Sequence, residues 1–170
     1  MPLNFIIMKA ATSNEIKQEL QSSSAKRLME LCLRLARFKK ENKELLTYLL
    51  FESHDEEAYI QSVKNDMDEQ FAELTNVNLY LTKKSLRKIL RNTNKFIRYT
   101  GSKIAETELL IHYCKNILSA KIPIHKSTAL SNLYNQQIKK IIAAIALLHE
   151  DLQHDYLKEI ELLKIIAAKH

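Results

Sequence analysis

Lys84, Lys88, Arg91, Lys95 and Arg98 recur at alternating steps of four and three residues. On a helix turning 100° per residue they fall within an arc of about 80°, and they span about 21 Å of its length. A row of fixed positive charge on that scale suits a run of phosphates or an acidic protein surface. The arginines add forked donors that match phosphate and carboxylate alike. Tyr80 and Tyr99 are the only flanking aromatics for base stacking. Leu79, Leu86, Ile89, Leu90, Phe96 and Ile97 centre on the opposite side of the same helix, so the cations are expected to face solvent.

The net charge of +6 is uneven along the chain. Residues 1–51 carry nine Lys/Arg and five Asp/Glu, residues 52–73 one base and eight acids. Residues 74–105 hold eight bases and no acid, and residues 106–170 eight bases and seven acids. An acidic helix therefore precedes the basic one, which opens a competing reading: a charge-matched hairpin. Asp66 or Glu69 with Lys84 or Arg87, and Asp55 with Arg98, fall at plausible antiparallel register. Lys83 and Arg87, on the flank, are better placed than the stripe to answer the acids.

Other chemistry is thin. Glu108 and His112 lie four apart, as do Glu150 and His154, and Asp151 to His154 reads D-x-x-H. A di-metal bundle needs two E-x-x-H motifs with further inward carboxylates. His149-Glu150 with His154 is one residue too long for H-E-x-x-H. His54-Asp55 and His154-Asp155 lack the further ligands of an HD-type phosphohydrolase. One glycine rules out a P-loop, a dinucleotide fingerprint and a nucleophile elbow. No catalytic residue, metal ligand or cofactor is assigned.

The elements that must carry these residues follow from the punctuation. One glycine and two prolines in 170 residues cannot supply the turns of a β-rich fold. The expectation is an all-α protein without a sheet. About seven or eight helices would form an antiparallel helical bundle or a short irregular stack of helical hairpins. Ser13 is expected to cap a first helix to Gln21, and Ser22–Ser24 to break it. The second carries Leu28, Leu31, Leu35 and Phe38, and Asn42 caps a third. Ser53-His54-Asp55 opens the fourth, to Leu74, and Thr75–Asn78 turns the chain. The fifth runs from Leu79 to Thr100 and ends at Gly101; Ser102 caps the sixth and Ser127 the seventh. A change of phase near His149–Asp151 favours two helices over one long rod beyond Ser127.

Residues 141–148 are apolar all round, which predicts a central helix covered on nearly every side. The functional alternative is a self-association seam through Ile138, Ile141, Ile145, Leu148 and Leu152, giving a homodimer through the C-terminal helices. The chain is read as one domain over residues 1–170, with residues 1–12 as a flexible N-terminal segment. Leu3–Met8 is too short for a signal peptide's apolar region, and no stretch approaches the ~18–20 apolar residues of a membrane span. Cys32 and Cys114 each sit in an apolar helical run and read as small buried hydrophobes, with free thiols that fit a reducing compartment. A cytoplasmic protein with no membrane partner is expected.

The leading expectation is a non-enzymatic helical interaction or scaffold module with a protein partner. The alternative is a nucleic-acid or polyphosphate binder using the five cations. The third is a metal-dependent hydrolase built on His112, His149 and His154.

Overall fold

A computed structural model describes residues 9–74 and 78–169. The turn expected over Thr75–Asn78 and the apolar Leu3–Met8 segment lie wholly or mainly outside these residues, as does most of the expected flexible segment 1–12. The described chain is all-helical, with eight α-helices and no strand. They are α1 (Ser13–Ser22), α2 (Ala25–Phe38), α3 (Lys40–Thr47), α4 (Glu56–Ala72), α5 (Leu79–Thr100), α6 (Lys103–Ser119), α7 (Thr128–Ile145) and α8 (Glu150–Lys169). A π-helical turn, Tyr48–Glu52, joins α3 to α4, and a 3₁₀ turn, Ile124–Lys126, precedes α7. The chain divides into two compact units, with the boundary between Thr47 and Tyr48.

The first unit holds α1–α3. Thr12, not Ser13, caps α1: its hydroxyl accepts the Glu15 amide while the Glu15 carboxylate accepts the Thr12 amide. That reciprocal pair is a capping box, and the Glu three places on is its sequence signature. Ser24 caps α2 through the Arg27 amide. Asn42 does not cap α3; it lies within that helix, and its Nδ2 donates to the Leu35 carbonyl at the end of α2 at 2.9 Å. None of these three helices buries a residue, so Cys32 on α2 is exposed and not the buried small hydrophobe expected.

The second unit contains the core. Asp55 caps α4, Asn78 caps α5 and Ser102 caps α6, each accepting a backbone N–H. Gly101 ends α5 at φ +64°, the left-handed region where a side chain is strained. Ser127 precedes α7 without a side-chain cap bond. The helices run alternately up and down. Paired residues advance together from α4 to α6 (Glu56–Ser102, Lys64–Glu108, Asp68–His112), so these two are parallel, with α5 antiparallel to both. Tyr134 on α7 bonds Leu163 on α8, and His125 bonds Ala167, which makes that pair antiparallel. This is a bundle-like arrangement.

The most covered helix is α6, not α7. It buries Ala105, Thr107, Leu109, Leu110, Ile111, Tyr113, Cys114, Ile117 and Leu118, against α4, α5, α7 and α8. In α7 the apolar run meets solvent at Ile142, and just beyond the helix at Leu147. An all-apolar stretch shows that a helix tolerates cover on every side; which helix receives it depends on the neighbours. The break between α7 and α8 falls at 146–149, so there is no rod.

Candidate functional site

α5 is positioned from within. Its buried residues are Thr82, Leu86, Ile89, Thr93 and Ile97. The Tyr113 hydroxyl on α6 donates to the Leu86 carbonyl at 3.0 Å. Thr82 and Thr93 were not among the expected core positions; each hydroxyl returns to a carbonyl one turn back, at 3.1 and 3.0 Å, and so travels into the core with its polarity satisfied. On the helical wheel these five residues centre about 180° from the cationic arc.

The cations accordingly point out. Lys84, Lys88, Arg91 and Arg98 are exposed, and among the described residues none of the four is in an ion pair or side-chain hydrogen bond. Lys95 differs. It is half-buried, and its ammonium lies 4.9 Å from the centre of the Phe96 ring, within cation–π range.

Nor do the α4 acids answer α5. The pairings Asp66 or Glu69 with Lys84 or Arg87, and Asp55 with Arg98, do not form. Asp55 is occupied as the α4 cap, and Asp66 accepts the Gln70 amide at 2.6 Å. The charge matching runs instead between parallel helices. Lys64 meets Glu108 at 2.6 Å, and Asp68 meets both His112 and Asn116 at 2.6 Å. Lys115 pairs with Glu159 across to α8. A register argument that assumed sequence neighbours would pair missed the second-neighbour contact made when three helices run up, down and up.

Two hollows open along the outer side of α5. One, of about 530 Å³, is lined by Tyr80, Lys83, Lys84, Arg87, Lys88 and Arg91, with Ser85. The other, of about 710 Å³, continues past Arg87 and Arg91 to Arg98 and the start of α6, over a floor including Leu90 and Ile97. Glu106 at its far edge is held by Lys103 at 2.5 Å. Lys83 and Arg87, assigned from sequence to the acidic helix, therefore belong to the cationic surface. Tyr80 is 68% exposed beside them. Tyr99 is half-buried, with its ring edge-on to Phe96.

Of the metal-ligand candidates, Glu108 and His112 are engaged with α4. Glu108, besides Lys64, accepts the Tyr156 hydroxyl at 2.9 Å; burial first, then this carboxylate, pushes that phenol's ionisation up. Among the described residues no three His, Cys, Asp or Glu side chains converge as a metal site would need. Of the seam candidates, Ile138, Ile141 and Ile145 are buried in the chain's own core, because α7 packs on α6 and α8. Leu148 is partly covered and Leu152 more open, so these five do not form a free stripe. Compared with known proteins, the chain matches no family model, no curated protein and no solved structure, so nothing about this surface is taken from a relative.

Proposed function

We propose that the chain is a non-enzymatic helical binding module whose ligand is an extended polyanion, a nucleic acid or polyphosphate, held on the outer face of α5. One observation carries this reading: Lys84, Lys88, Arg91 and Arg98 face water, and among the described residues no carboxylate pairs with any of them. Uncompensated charge aligned along a rigid helix raises the local concentration of a polyanion and releases its counterions on contact. The two hollows add places for phosphates to settle between forked guanidinium groups, and Tyr80 offers a ring for a base.

A second reading is a protein partner with an acidic surface, favoured by the apolar floor that Leu90 and Ile97 give the larger hollow. A cytoplasmic placement belongs to the same proposal and rests on the two unpaired cysteines, Cys32 and Cys114. Among the described residues no helix is long and apolar enough to cross a membrane.

Binding to single-stranded RNA and to polyphosphate, titrated across salt concentrations, tests the proposal. Neutralising about four phosphates gives a log–log slope near −3 for a single strand. The double variant K88E/R91E is expected to lose at least tenfold in affinity and to flatten that slope. Unchanged RNA and polyphosphate binding in this variant would remove the polyanion reading. Binding of polyglutamate but of neither phosphate polymer would favour the acidic protein.

A further inference from the structure

α2 carries a second, independent surface. Its polar residues Lys26, Arg27, Glu30, Arg34 and Arg37 fall within an arc of about 100°. Leu28, Met29, Leu31, Cys32, Leu33, Leu35 and Phe38, with alanines, take the rest of the wheel. An apolar arc this broad normally lies inside a fold. Here it does not: Met29, Leu33, Leu35 and Phe38 are 58%, 45%, 61% and 77% exposed, and the helix buries no residue. Lys39 and Lys40 extend the positive charge beyond its end, leaving six bases against one acid over residues 25–40.

We infer that α2 lies in the interface of an anionic lipid surface, its broad apolar face among the acyl chains and its basic rim at the headgroups. Three features select this occupant. A helix of 14 residues is about 21 Å long, too short for the ~30 Å hydrocarbon core, so it would lie on a bilayer rather than cross it. A second copy of the chain would cover only a narrow seam of each α2, leaving much of the arc wet, and would bring two basic rims together. Lipid covers a wide arc, and anionic headgroups complement both borders, with Arg27 and Arg34 on one side and Lys26 and Arg37 on the other. Basic side chains at such borders reach outward to headgroups while their stems stay in the apolar layer.

Cys32 makes the test direct. It lies near the middle of the apolar arc and is exposed, whereas Cys114 is fully buried, so a thiol-reactive bimane labels α2 selectively. Full-length labelled protein would be mixed with phosphatidylcholine vesicles with and without phosphatidylserine. The expected result is a blue-shifted bimane, quenched by lipids brominated on the acyl chain, only where phosphatidylserine is present. L35E/F38E should weaken vesicle binding by on the order of tenfold or more while leaving RNA binding intact. K88E/R91E should do the reverse, which separates this inference from the α5 reading. R34E/R37E, which keeps the apolar face, should also lose the anionic vesicles. A bimane that stays in water on bound vesicles overturns the inference, as does L35E/F38E binding as tightly as the parent. So does a parent dimer that L35E/F38E converts to monomer without any lipid effect.

Discussion

α2 and α5 are made from the same materials, leucine-rich on one side and rich in Lys and Arg on the other, yet they sit in opposite circumstances. In α5, Leu86 and Ile89 are buried at 0% and 3% exposure against the other helices of its unit, and only the basic side meets water. In α2 the corresponding apolar residues, Leu35 and Phe38, are open. Amphipathic spacing therefore specifies that a helix has two faces and not that the apolar face is covered. Cover needs neighbours on the apolar side: α5 packs on α4 and α6, whereas α3 beside α2 leaves Leu35 and Phe38 open.

The sharpest way to probe the comparison is through the cysteines, one in α2 and one in α6. Burial pushes the Cys114 thiol up to about 12, so at pH 8 it is neutral as well as inaccessible. A maleimide should modify Cys32 within minutes and Cys114 only through unfolding, a difference of several orders of magnitude in rate. Mass spectrometry of peptides checks this, and comparable rates would mean that α6 is not enclosed. The same thiol gives a sign to alkaline stability. Its ionisation is held above the ordinary 9.0, so the folded state retains the proton that the unfolded chain releases. Stability is unaffected by this group below that value and falls as pH rises towards 12, by at most about 1.4 kcal/mol per pH unit.

Next in size is packing. Leu86→Ala should cost about 2–5 kcal/mol in denaturant unfolding, because it opens a cavity in α5's covered face. Leu35→Ala, the matching truncation in α2, should stay within about 0.5 kcal/mol. Equal losses would dissolve the distinction. Removing the hydroxyl that ties α6 to α5, Tyr113→Phe, should cost about 1 kcal/mol and leave the Leu86 carbonyl with only its helical partner. Gly101→Ala should act through the backbone alone. Among the described residues nothing lies within 4 Å of the added carbon, so the loss of about 1 kcal/mol comes from holding a side chain at φ +64°.

Much of α5 was legible before any coordinates. Asn78, Gly101 and the 4-3-4-3 spacing of its cations bracket and orient it, and its bounds agree with the expected Leu79–Thr100. Ser24, Asp55 and Ser102 were equally readable, because a cap is a local bond between residues three apart, but Thr12 took the place of Ser13 and Ser127 makes no cap bond. Thr82 and Thr93 were missed because threonine's polarity argues for the surface until its hydroxyl is seen bonded to its own helix. The exchange of central helix between α7 and α6, and the α4 acids turning to α6 instead of α5, depend on which helices touch.

The sequence by itself determined the helices, most of their ends and the two faces of each, since all of these arise from bonds and spacings within a few turns. Tertiary structure alone decided which apolar faces are covered, which acids find bases, and that Lys83 and Arg87 join the outward cations. Those outcomes are set by contacts between residues tens of positions apart, whose geometry no short window of sequence contains.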